Sequence, residues 1–305
     1  RSATRAPRGM QSHFDDVLEA DGRGLFAWEP EVRSIAAFVT DLETPIHVTT
    51  FGSPGTGAGR ISSISDLCWD DARQELTVFD QNQLHRWKVT LPDRETISYD
   101  PEAAVLLSTS PLPEVAPGRP LQIGGAARGT GGMMHVFDPS IDRVFTLNRE
   151  GRILRRWPVE LDPVAIAANE ETVAIADGRT GRVHLFSPEG AAQGILSSPD
   201  DRPAGWPGGI TILENGDVVT SDRIAGRLDV FSADGSWKQS LSGTGTDVGR
   251  CWLPGEVAQD ALGRIVVLDH GNHRLQAFES EKGWVLTFGL GRSYSPDRLP
   301  RRPIP

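Results

Sequence analysis

One unit recurs along the 305-residue chain and constrains its fold more than any other feature: an apolar run ending in an acid, a short turn, an arginine and a second apolar run. GRIVVLDHGNHRLQAF at 263–278 is the clearest copy. GDVVTSDRIAGRLDVF at 216–231, ETVAIADGRTGRVHLF at 171–186 and GMMHVFDPSIDRVFTL at 132–147 share its plan. RGLFAWEPEVRSIAAF at 23–38 and ELTVFDQNQLHRWKV at 75–89 follow it more loosely, which makes six. The acids are Glu29, Asp80, Asp138, Asp177, Asp222 and Asp269, separated by 51, 58, 39, 45 and 47 residues. Such intervals match the forty-odd residues of a four-stranded propeller blade. In four copies an arginine stands five residues after the acid: Arg143, Arg182, Arg227 and Arg274. The first copy shifts it to Arg33, and the second has His85 and Arg86 there.

Each unit reads as a hairpin. A run such as IVVLD is apolar at every position up to the acid, as expected of a strand packed on both faces. The acid is placed to accept turn amides, and the arginine opening the next strand to pair with it across the hairpin. Both columns are therefore read as structural. An inner strand is expected before the hairpin in WPGGITI (206–212), WLPGEVAQD (252–260) and DPVAIAA (162–168). An outer strand ending in glycine follows in HVTTFG (47–52) and WVLTFG (284–289). The 33 glycines, 22 prolines and 38% hydrophobic residues fit many short strands joined by turns. The expected architecture is all-β: a six-bladed β-propeller of four-stranded blades over 14–290, with a basic N-terminal arm (1–13) and a Pro/Arg-rich C-terminal tail (291–305). Single blades expose two apolar faces, so the ring must close, and no exchanged N-terminal strand is evident.

The segments LDHGNHRLQAF and LPGEVAQD, with the FGSPGTGAG loop at 51–59, resemble the NHL-repeat family, most strongly in the last copy. The resemblance implies a six-bladed ring, often extracytoplasmic in bacteria, that most often holds a protein partner on one face. Similar six-bladed propellers include enzymes: the amidating lyase and the gluconolactonase and strictosidine synthase groups. Each needs polar or metal-binding residues converging on the ring axis. A catalytic metal needs about three protein ligands and an open position. The histidines are His13, His47, His85, His135, His184, His270 and His273, and they do not recur on the inner strands. His135 and His270 are the better placed. Asp66, Asn169 and Glu256 are the axial polar residues to consider, although they match no known motif. FGSPGTGAG lacks the Gly-Lys-Ser/Thr ending of a phosphate loop. No cofactor or metal is expected, and the chain is read as non-catalytic. The alternatives are a metal-dependent lyase or lactonase with an axial site, and a ligand-binding sensor propeller.

A formal charge of −10 disfavours a nucleic-acid partner, since phosphate binding needs a basic face. No run approaches the roughly 18 apolar residues of a spanning helix. The sequence opens at Arg1 without an apolar signal core, which fits a processed form or a truncated one. Cys68 and Cys251 are expected as buried free thiols on non-neighbouring blades, too far apart to bridge. Partner-binding candidates are Trp206 and Trp252 at matching positions before inner strands, and Pro111 and Pro113 in the proline-rich segment 99–120, expected to project from the rim as a loop. The tail adds Arg298, Arg301 and Arg302. Both basic ends are expected to be pinned against the acidic ring or a neighbouring subunit, with a peripheral membrane contact as a weaker role. The expected function is a protein-binding scaffold subunit that stabilises a larger complex. Its expected setting is extracytoplasmic, periplasmic or secreted, on the face of an energy-transducing membrane assembly.

Overall fold

Every copy of the unit becomes one four-stranded antiparallel sheet in the computed structural model, which describes residues 18–29, 33–81, 83–196 and 205–288. Blade I comprises Leu18–Asp21, Gly24–Glu29, Ser34–Val39 and Ile46–Phe51; blade II comprises Ile64–Asp70, Glu75–Asp80, Gln83–Val89 and Ala104–Pro111. Blade III holds Gly125–Arg128, Met134–Asp138, Arg143–Leu147 and Ile153–Pro158; blade IV holds Pro163–Ala168, Val173–Asp177, Arg182–Phe186 and Ala192–Ile195. Blade V runs Pro207–Ile212, Val218–Asp222, Arg227–Phe231 and Trp237–Ser242; blade VI runs Pro254–Gln259, Ile265–Asp269, Arg274–Glu279 and Gly283–Phe288. The chain is an all-β, six-bladed propeller, with no α-helix among the described residues.

The apolar runs explain the ring. The core divides into six clusters, and each is drawn from two adjacent blades, blades VI and I included. Within Ile265–Asp269, Ile265 and Val267 pack toward blade V while Val266 and Leu268 pack toward blade I. Alternate side chains of a strand point to opposite faces, so an uninterrupted apolar run serves two neighbours at once. Toward the axis the blades converge and the side chains shrink: the inner strands carry Ala126, Ala127, Ala165, Ala167, Gly208 and Gly209. A Cβ on Gly209 would lie 2.6 Å from the Glu256 Cα, so only glycine permits this approach of blades V and VI.

Among the described residues, ring closure uses no exchanged strand. Leu18–Asp21 pairs with Gly24–Glu29 of its own blade, and each inner strand neighbours those of the two adjacent blades. Across the seam between blades VI and I, buried Arg264 is ion-paired to Asp260 at 2.6 Å. Its guanidinium also donates to the carbonyls of Glu43 (2.6 Å), Leu42 (3.3 Å) and Thr40 (3.5 Å) of blade I. One side chain thus ties residues more than 220 positions apart in sequence.

Three expectations change. The segment 99–120 does not project as a loop. Ala104–Pro111 is the outer strand of blade II, where a missing proline N–H costs no ladder bond, and Pro111 closes it on the exposed side. A small hairpin, Glu114–Ala116 with Arg119–Pro120, follows half-buried Pro113, and buried Leu112 and Leu121 fold it onto the core between blades II and III. Second, Arg33 is not in the arginine column. Ser34 faces Glu29, and Arg33 takes the left-handed turn position (φ 52°) that His273 takes in blade VI (φ 51°). Third, the shortened turn of blade II puts Gln83 opposite Asp80; His85 and Arg86 lie further along the strand, opposite Val78 and Thr77. The arm and tail, with Arg298, Arg301 and Arg302, lie outside the described residues.

Replacing Arg264 with methionine leaves Asp260 buried without its cation. It is expected to lower the unfolding free energy by ~3–5 kcal/mol, read as a fall in the urea midpoint, with part of the loss recovered in Asp260→Asn/Arg264→Met.

Candidate functional site

Antiparallel order puts the loop leading into each inner strand on the same face as the turn between the second and third strands. The register shows it: Pro163 faces Asp177, Pro207 faces Asp222 and Pro254 faces Asp269. The repeat acids bridge these two sets of loops. Asp80 accepts the backbone N–H groups of Ser62 (3.0 Å) and Ser63 (2.7 Å). Asp138 accepts from Gln122 (3.1 Å), Asp177 from Asp162 (3.0 Å), Asp222 from Trp206 (3.4 Å) and Asp269 from Trp252 (2.7 Å). Asp138, Asp177 and Asp222 also accept amides of their own turns, those of Ser140, Arg179, Ile224 and Ala225 among them. Glu29 ends the second strand of blade I, and its side chain is outside the described set.

All four column arginines stand opposite their acids in register. Arg274 pairs with Asp269 at 2.7 Å and Arg227 with Asp222 at 3.1 Å. Arg143 and Arg182 make no ion pair with Asp138 or Asp177 among the described residues. At Asp269 the carboxylate further accepts from Asn272 (2.8 Å) and Gln276 (2.9 Å). Burial nevertheless pushes its pKa up, against the hydrogen bonds that hold it down.

Over blades V and VI this stapled face exposes three large apolar side chains. Trp206 is 44% exposed, Ile224 67% and Val248 55%. Trp252 is half-buried because its ring lies across Gly271, where a Cβ would come within 2.9 Å of it. The Arg223 N–H donates to the Trp206 carbonyl (2.9 Å), and the Thr244 hydroxyl donates to the Ile224 carbonyl (3.4 Å). These bonds join the lead-in of blade V, its turn, and the loop that carries Val248. Ile224 and Val248 were not among the sequence candidates. The available signal was an isoleucine set in the turn between Asp222 and Arg227.

At the axis the structure brings two of the three polar candidates within electrostatic reach. The Asp66 carboxylate accepts the N–H groups of Ala126 (2.6 Å) and Leu67 (2.7 Å). The Glu256 carboxylate lies against Gly209. Desolvation between the converging strands raises Asp66 to about 7. It raises Glu256 to about 8, with the Asp66 charge adding to the shift and Arg223 opposing it. Asn169 is elsewhere: it caps the turn between the first two strands of blade IV, on the opposite face, accepting from Glu171 (2.9 Å) and Thr172 (2.8 Å). The histidines do not converge. His135 is buried on the second strand of blade III beside Thr146, and burial pushes its pKa down to about 4. His270 neighbours His273, ring centroids 6.2 Å apart, in the turn of blade VI. Among the described residues, no three His, Cys, Asp or Glu side chains form a group that could hold a metal ion. Cys68 and Cys251 are buried free thiols, and burial pushes Cys251 up to about 12. No described helix is long and apolar enough to cross a membrane.

The NHL repeat profile matches residues 252–278, from Trp252 through the third strand of blade VI. The chain is 27% identical over 168 residues to NHL repeat-containing protein 3 of Mus musculus and 26% identical over 168 residues to that of Homo sapiens. Blade VI thus carries an NHL repeat, and the chain resembles NHL-repeat proteins. The aligned region is 48% of this chain and 48% of each relative, so the chain spans about half the length of the curated relatives it matches. Among solved structures, a streptogramin B lyase shares the fold with a TM-score of 0.58, at 11% identity, over 91% of this chain and 83% of that one. A catalytically inactive virginiamycin B lyase from Staphylococcus aureus, solved with quinupristin, gives 0.58 at 12% identity over 92% and 87%.

The axial carboxyls make the stability of the ring depend on pH. With folded pKa values raised above the unfolded ones, the unfolded chain loses these protons first as pH rises, so both groups weaken the fold between about pH 4 and 8. Glu256→Gln is therefore expected to raise the urea midpoint relative to the native chain more at pH 8 than at pH 5.

Proposed function

We propose that this propeller is a non-catalytic binding subunit that holds a protein partner against the lead-in face of blades V and VI and so stabilises a larger assembly. The observation that carries the reading is the exposure of Trp206, Ile224 and Val248 on loops held by buried acids. Exposed tryptophan on a rigid frame supplies contact area at small entropic cost and is enriched among the residues that dominate interface energy. The partner chemistry that fits is an apolar anchor, which removes these side chains from water. The extracytoplasmic setting is proposed on the family resemblance.

A second reading, an axial catalytic or ligand site, is favoured by the raised pKa values of Asp66 and Glu256 beside Arg223.

Affinity capture from the native source with quantitative mass spectrometry separates them. A stoichiometric partner is expected with the native chain. Trp206→Ala and Ile224→Asp are expected to weaken capture roughly tenfold or more, while their melting temperatures stay within about 2 °C of the native value. Capture unchanged in both variants, with activity lost in Asp66→Asn or Glu256→Gln, would move the functional site to the axis.

A further inference from the structure

On the face opposite the lead-in loops, a shallow cleft opens to solvent between blades II and III. Four arginines line it: Arg73, Arg86, Arg128 and Arg149. Only two carboxylates do, Asp70 and Glu75, and with Glu150 paired to Arg149 the cluster keeps one positive charge in excess on a chain of net charge −10. We infer that this cleft binds a small oxyanion, a solute bearing a phosphate or carboxylate group.

The arrangement leaves guanidinium capacity for such a ligand. Asp70 is shared, bonding Arg73 at 2.9 Å through one oxygen and Arg128 at 3.2 Å through the other. One carboxylate between two guanidiniums cancels one of their charges. Glu75 holds Arg86 at 2.5 Å, and Arg149 pairs outward with Glu150 at 2.7 Å. The guanidiniums of Arg73, Arg86 and Arg149 each have five N–H donors in a planar fork suited to carboxylate or phosphate oxygens, more than these contacts use.

Two glycines border the mouth. The turn after Arg128 runs through Gly131 (φ 67°) and Gly132 (φ 81°), both left-handed. A Cβ on Gly132 would reach to 3.9 Å from the Asp70 carboxylate and 4.0 Å from the Arg73 guanidinium, while one on Gly131 would meet nothing within 4 Å. Residues from the first turn of blade II, the inner strand and first turn of blade III, and the last turn of blade III therefore converge on one open, positively charged notch. The inference is independent of the partner-binding face, because no residue is shared between the two.

Calorimetric titration of the full chain at low salt, with inorganic phosphate, pyrophosphate and citrate in turn, tests it. Saturable one-to-one binding of at least one anion is expected. It should weaken as salt rises, and at least tenfold in Arg149→Gln, whose half-exposed side chain can be cut back without loss of fold. Arg128→Gln should weaken it likewise, and Arg60→Gln, on the opposite face, should not. Preference for pyrophosphate or for citrate identifies the class of solute. The proposal is overturned if none of the three anions binds saturably, or if binding is unchanged in Arg149→Gln and Arg128→Gln; the arginines then serve only to hold blades II and III together.

Discussion

A buried carboxylate that accepts a backbone N–H from the loop leading into its own blade is the contact on which the rest of this propeller depends. The second strand of a blade ends in the acid, and the lead-in loop would otherwise bring unpaired amides to the edge of the core. Leaving a buried donor unsatisfied costs ~1–3 kcal/mol, and the arrangement repeats at Asp80, Asp138, Asp177, Asp222 and Asp269. The same bonds order the loops of one face, so the element that completes each blade also builds a rigid surface. Trp206 and Trp252 are the donors in blades V and VI, which places an aromatic side chain at the bond that fixes its own backbone.

Closure is the complementary constraint. Because each second strand packs on both sides, every blade needs two neighbours, and the seam between blades VI and I has to be as well made as the other five interfaces. Apolar packing supplies most of it, as at every interface. Arg264 adds a polar tie that reads three carbonyls of blade I backbone, those of Thr40, Leu42 and Glu43, from a buried, charge-compensated site. Such a tie is specific to the joined ring: opened, it would leave an ion pair without its carbonyl acceptors.

How much of this was legible follows from where the information sits. The acid of each copy marks a local hairpin, so the columns and the six blades can be read from spacing alone, and LDHGNHRLQAF, where Asp269 gathers Trp252, Asn272, Arg274 and Gln276, is the plainest of them. Blade II was harder, because its two-residue turn after Asp80 slides Gln83 into the arginine position. Pro111 and Pro113 suggested a loop, whereas Leu112 and Leu121 decided the matter through burial that only the neighbouring blade reveals. Asp66 and Glu256 were recognisable as inner-strand acids; Asn169 looked equivalent but sits in a turn, where its side chain satisfies local amides. The arginines of the cleft come from positions 73, 86, 128 and 149, and no spacing rule joins residues from two blades and three kinds of element.

Native-state amide hydrogen exchange, resolved at Ser63, Asp162 and Trp252, tests the dependence of the face on the buried acids most directly. The account predicts that all three amides are protected to the level of the adjoining strands, and that Asp269→Ala abolishes protection at Trp252 while leaving Ser63 and Asp162 unchanged. Rapid exchange of these amides in the native chain, or full protection of Trp252 in the variant, would contradict it.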